Sequence, residues 1–89
     1  MNFHFQVRTP THVLLTEAAD LPDLEDARVE AARRVGELLR EHAALLWVDN
    51  DWQMDVTDDA GLILFVIYIT AMKSPATNNA PRDQGRASG

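Results

Sequence analysis

Only one stretch of this chain has a helical repeat, and both of its flanks alternate instead. Between Leu21 and Leu46, in LPDLEDARVEAARRVGELLREHAALL, apolar residues recur every three or four positions. Leu24, Ala27, Ala31, Val35, Leu38, Leu39, His42, Leu45 and Leu46 fall on one side of a helical wheel, which is the stripe of an amphipathic helix. Asp23 is placed to cap it, because its carboxylate can accept from the free amides of the first turn. Glu25 and Asp26 put negative charge at the positive end of the helix dipole, and Pro22 stiffens the entry. One helix can cover one face of one sheet, so the flanks decide the architecture.

On the N-terminal flank, Phe3, Phe5 and Val7 alternate with His4, Gln6 and Arg8, the period of a half-buried strand. Thr9-Pro10-Thr11 breaks it, with proline at the second turn position, where its φ is already set. His12 to Thr16 reads as a short edge strand, and Glu17 to Asp20 as a connection. On the C-terminal flank, Val48 to Asp51 is a turn region. Trp52, Met54 and Val56 then alternate with Gln53, Asp55 and Thr57. Asp58-Asp59-Ala60-Gly61 is a hairpin loop with glycine where φ is expected to be positive, and Leu62 to Thr70 is the last strand. The expected fold is α+β in the order β-β-α-β-β: one mainly antiparallel four-stranded sheet with a single long helix packed on one face.

This domain occupies residues 1–72. The remainder, 73–89, is rich in Pro, Asn, Ser, Gly and Ala, has no periodicity, and is expected to be a disordered tail. Seventy-two residues lie near the lower end of what one core can stabilise. Alanines at 27 and 31 let the helix sit close to the sheet, and Leu38 and Leu39 fill deeper space beyond. Leu39→Ala should cost about 2–5 kcal/mol if that space does not collapse. Glu30 with Arg34, and Arg33 with Glu37, are four apart and form flank pairs. Gly36, on the outer side, costs about 1 kcal/mol against alanine, and the sequence offers no reason for it.

The formal net charge is −6, and residues 1–72 carry −8, because Lys73, Arg82 and Arg86 outweigh Asp83 in the tail. The five basic residues before the tail are interleaved with acids, the opposite of a phosphate-binding footprint, so no nucleic-acid partner is expected. The chain has no cysteine, which excludes a disulfide scaffold, a thiolate nucleophile and Cys-ligated zinc. The alternating N-terminus does not read as a signal peptide. The longest apolar run, Leu62 to Ile69, is far short of the roughly 20 residues that span a bilayer as a helix. The expectation is a soluble, cytoplasmic protein with no membrane association.

Candidate chemical sites are few. Asp49-Asn50-Asp51 with Asp55 faintly resembles a calcium loop, but lacks the residue for the fifth position, the glycine at the sixth and the closing Glu. His4, His12 and His42 do not converge on one point in this fold, so no metal and no cofactor is expected. His42 lies in the apolar stripe near the end of the helix and reads as a partly buried histidine. Asp58 and Asp59 are adjacent carboxylates, but a loop tip offers water where an acid–base pair needs a pocket. No nucleophile triad or phosphate-cradling loop is present, so no enzyme is expected.

The last strand is different. If Ile63, Phe65, Ile67 and Ile69 face the helix, then Leu64, Val66 and Tyr68 face the other way, on a surface where other strands present Gln6, Arg8, Gln53, Asp55 and Thr57. With this strand in the middle of the sheet, Leu64, Val66 and Tyr68 make an apolar stripe of the kind that a protein partner or a second copy covers. Val66, at its centre, is the position where a charge should change association and spare the fold.

Several pieces together resemble a set of short bacterial proteins classed as a domain of unknown function. These are the aromatic first strand Phe3-His4-Phe5, the helix start Leu21-Pro22-Asp23-Leu24-Glu25-Asp26-Ala27, Trp52 with Val56, the Asp58 to Gly61 hairpin, and the apolar strand Ile63 to Ile69. The resemblance covers residues 1–72 and implies the same order of elements. That family often has Asp-Gly at the first turn, where this chain has Thr9-Pro10-Thr11. It brings no activity or catalytic residues. A weaker similarity, over Asp20 to Leu39, is to small antitoxins that neutralise a ribonuclease toxin. The expected function is accordingly a non-enzymatic protein-interaction module, self-associating through the outer sheet face, with an antitoxin-like inhibitor as the alternative.

Overall fold

The computed structural model describes residues 1–76. The strands are β1 (Asn2–Arg8), β2 (Val13–Asp20), β3 (Asp51–Thr57) and β4 (Ile63–Thr70), and the helices are α1 (Leu24–Glu41) and α2 (Ala43–Leu46). The β-β-α-β-β order is therefore present. The four strands form one antiparallel sheet in the order β2-β1-β3-β4. The first strand of each hairpin lies inside and the second outside. The expected disordered tail over 73–89 falls, beyond residue 76, outside the described residues.

The two inner strands supply most of the core. Phe3, Phe5 and Val7 from β1 and Trp52, Met54 and Val56 from β3 are buried against Ala27, Ala31, Val35 and Leu38 of α1. Full burial of side chains of this size is worth roughly 1.5–3 kcal/mol each. Strand alternation delivers these residues to one face, and the 3.6-residue repeat delivers the helix to meet them. Phe5 stands opposite Val56, and Val7 opposite Met54, so large side chains of the two strands pack side by side under the helix. Ala27 and Ala31 are completely buried, and the first half of α1 lies close to the sheet.

The helix starts as its sequence requires. Asp23 has extended backbone angles (φ −157°, ψ 179°) and accepts from the Asp26 amide at 2.9 Å. It does not run unbroken to Leu46. α1 ends at Glu41, and His42 (φ −122°, ψ 39°) leaves the helical conformation before the single turn of α2. The break carries His42 off the stripe, so that it is exposed and not the partly buried residue expected. Leu45 and Leu46 still reach the core, through the separate turn. Leu39 is half-buried, at the margin of the space it was expected to fill.

β2 is longer than its sequence implies. Glu17 to Asp20, expected as a connection, is the second half of the strand and pairs with Phe5 to Asn2. Glu-Ala-Ala-Asp has little strand propensity, but the outward amides and carbonyls of β1 need partners there. The Met1 ammonium on Asp20 (2.9 Å) and the Leu21 amide on the Met1 carbonyl (2.8 Å) close that end.

Candidate functional site

The outer face of the sheet, away from α1, is polar across its centre. Arg8 of β1 donates to Asp55 of β3 at 2.5 Å, and Gln53 donates to the other oxygen of Asp55 at 2.8 Å. Asp55 is buried under these groups. His4 lies opposite Thr57, and its Nε2 is 2.7 Å from Asp59 at the tip of the second hairpin. Asn2 also donates to Asp59, at 3.0 Å. Both contacts favour the ionised carboxylate, and they hold Asp59 below the usual carboxylate range.

Asp58 has the other role in that loop. It accepts from the amides of Ala60 (2.9 Å) and Leu62 (3.0 Å) and so builds the turn, with Gly61 at φ +86°. The two adjacent acids are thus spent on separate partners. Between this tip and β2 the outer face holds an open depression of about 560 Å³, bordered by His4, Gln6, Thr16, Asp55, Thr57 and Ile63. The His4–Asp59 pair beside it is exposed on both sides, so it lacks the water-excluding pocket that acid–base chemistry needs.

The first hairpin ends in another polar cluster. Thr9 accepts from the amides of Thr11 (3.2 Å) and His12 (3.0 Å) and donates to Asp49 at 2.7 Å. Thr11 also donates to Asp49, and His12 Nδ1 is 3.4 Å away. These hydroxyl donors, Thr11 foremost, lower the pKa of Asp49. Asp49 therefore ties the β1–β2 turn to the segment before β3. The acids that faintly resembled a calcium loop are dispersed: Asp49 to the threonines, Asp51 to Thr70 at 2.7 Å, and Asp55 to Arg8. Among the described residues no group of three or more His, Asp or Glu side chains is placed to hold a metal ion.

The apolar residues singled out in the last strand need two corrections. First, β4 is an edge strand, not a central one: its neighbour is β3. A hairpin places its second strand beside its first, and β3 already pairs with β1 on the other side. Second, Leu64 is not on the outer face. Between Val56 and Thr57 the register shifts, so that Phe65 pairs with Val56 and Ile63 with Thr57. The extra residue, Leu64, turns inward and packs against the core. A one-residue bulge reverses the phase of everything beyond it, so Ile63, expected to face the helix, takes the outer place.

Val66 and Tyr68 do lie on the outer face, opposite Asp55 and Gln53. They are 45% and 59% exposed, and Ile63 is 53% exposed. The outer stripe is therefore Ile63, Val66 and Tyr68. On the other face of β4, Phe65, Ile67 and Ile69 are half-buried, because α1 lies over β1 and β3. The signal for an edge position was present in pairing logic, but nothing in the residue pattern marked the bulge.

Among the described residues no helix is long and apolar enough to cross a membrane. Comparison with curated proteins and with solved structures returns no match. The model of one family, Domain of unknown function (DUF6894), matches residues 2–70, from the first residue of β1 to the last of β4, and the chain belongs to that family.

Proposed function

We propose that the protein is a small, non-enzymatic protein-interaction module that docks through β4. The observation that carries this reading is the character of that edge. Its eight residues, ILFVIYIT, include no acidic or basic side chain and no proline, and three of its apolar side chains are well exposed. Natural sheets guard their edges with charges, prolines or short strands, because an open edge is a template for another strand. β2, the other edge, is guarded by Glu17 and Asp20. A long unguarded edge with apolar side chains on it is the form that strand addition uses: the backbone supplies hydrogen bonds and the alternate side chains supply selectivity.

The alternative, an antitoxin-like inhibitor, requires acids on the helix to meet a basic partner. Three of the five acids of α1 are already engaged within the chain, Glu25 with Arg28, Glu30 with Arg33 and Arg34, and Glu37 with Arg33, which leaves only Asp26 and Glu41. It therefore has less to stand on than the β4 reading.

The test is a comparison of wild type with a Val66→Lys/Tyr68→Lys variant as baits in native extract, with circular dichroism confirming that the variant folds. The expected outcome is a set of bound chains, copies of the protein itself included, that is lost with the variant. Identical capture by both baits would move the docking surface elsewhere.

A further inference from the structure

We infer that the occupant of the β4 edge is a second copy of the chain, paired antiparallel through β4 about a two-fold axis at Ile67. This rests on the reading of β4 as the docking surface, and it adds the identity of the partner and the register.

Charged groups occupy the other surfaces on which two copies could meet. Each copy carries −6, so copies repel wherever their acids face one another. The β2 edge carries Glu17 and Asp20, held by Arg34 and the Met1 ammonium, and the helix surface carries its Glu–Arg pairs. β4 is the edge where two copies approach without bringing charged strand residues together. Of its nearest acids across β3, Asp55 is paired with Arg8, and Asp51 accepts from Thr70 and keeps its charge near Tyr68.

The strand is also self-complementary. In an antiparallel pair, residues directly opposite share a face. With Ile67 opposite its own copy, Val66 meets Tyr68 on the outer face, and Phe65 meets Ile69 on the helix side. Every contact over these five residues is apolar against apolar. Centring the axis at Val66 would set Tyr68 against the bulged Leu64 and break the ladder. Centring it at Tyr68 would set Val66 against Thr70, whose hydroxyl is held by Asp51.

Both faces of β4 gain. Outside, Val66 and Tyr68 leave water. Inside, Phe65, Ile67 and Ile69, which α1 leaves half-buried, meet their copies. The pairing joins two four-stranded sheets into one of eight strands and consumes both β4 edges. What remains outermost is the acid-bearing β2 at each end, so the assembly stops at two. A self-complementary patch on a two-fold closes, whereas a head-to-tail contact would propagate.

The chain lacks cysteine, which makes single-cysteine crosslinking specific. Opposed residues in an antiparallel pair lie roughly 4.5–5.5 Å apart at Cα, within the range that a disulfide spans. The experiment uses the full chain in three measurements. Light scattering after gel filtration at about 100 μM should give twice the 10.0 kDa chain mass. Mild oxidation should convert Ile67→Cys largely to a covalent dimer and leave Val13→Cys, on the β2 edge, without a covalent crosslink. Val66→Lys should halve the scattering mass with an unchanged circular dichroism spectrum.

A wild-type monomer at that concentration overturns the second-copy inference. The interaction reading then stands if β4-dependent capture of another protein persists. A monomer whose β4 amides resist hydrogen exchange would mean that a segment of the chain itself covers the edge, which overturns both. A dimer that survives Val66→Lys, or that does not crosslink at Ile67, overturns the proposed face and register.

Discussion

Gly61 and Gly36 are both exposed, and a Cβ added at either would meet nothing within 4 Å, yet alanine should act in opposite directions at the two. Gly61 sits at φ +86° in the second hairpin. An L side chain in that region costs about 1–2 kcal/mol, and Gly61→Ala should lower the urea midpoint accordingly. Gly36 is in the interior of α1 with ordinary helical geometry, so Gly36→Ala should raise stability by about 0.5–1 kcal/mol. The first glycine was legible as a turn residue because Asp-x-x-Gly is a loop pattern. The second has no structural reason here. Trp52 shows a limit of another kind. Its indole Nε1 is buried with no hydrogen-bond partner among the described residues, an arrangement that costs about 1–3 kcal/mol, and nothing in the strand pattern announces it.

Elements are held to one another unevenly, and Arg34 shows where. Its guanidinium lies 4.7 Å from the centre of the Phe5 ring on β1, bonds Glu17 on β2, and donates to Glu30 on its own helix at 2.6 Å. One side chain thus joins α1 to the two strands of the first hairpin. Among the described residues Arg28 pairs only with the exposed Glu25, one turn away. Arg34→Ala should therefore cost about 1–3 kcal/mol in chemical denaturation, through lost packing as well as charge, and Arg28→Ala less than about 0.5 kcal/mol. Glu30 gives this helix surface a pH signature. Hydrogen bonds from Arg33 and Arg34 bring its carboxyl down to about 2 from an ordinary 4.5. A depressed folded-state pKa means that the unfolded chain binds the proton first. The contribution is complete above pH 4.5 and is lost as the pH falls to about 2. Denaturation midpoints measured from pH 5 down to pH 2 should fall less steeply for Glu30→Gln than for wild type. The Glu30–Arg34 and Arg33–Glu37 pairs were legible from their spacing of four. The link to Phe5 and Glu17 was not, because it needs the first hairpin to be under the helix.

At the scale of the molecule, the net charge of −6 sets a further expectation for the proposed dimer. Two acidic copies attract only through apolar strands, so salt should tighten them. Raising sodium chloride from about 20 to 300 mM shortens the Debye length from roughly 20 Å to about 6 Å, and the dissociation constant read by light scattering should fall several-fold. A rise would indicate a contact made by opposite charges. By itself the sequence determined the order of elements, the start of the helix and the inward faces of β1, β3 and α1. Those rest on local periodicity, which repeats every two or 3.6 residues and is complete within a few residues of chain. The tertiary structure decided the rest. It made Glu17 to Asp20 a strand, since unpaired β1 groups override a weak propensity. It ended α1 at Glu41 and exposed His42. Above all it put β4 at the edge and turned Leu64 inward and Ile63 outward. Strand neighbours are set by which hydrogen-bonding edges remain free once the hairpins close. A bulge is a mismatch between two strands, so neither strand's own sequence contains it.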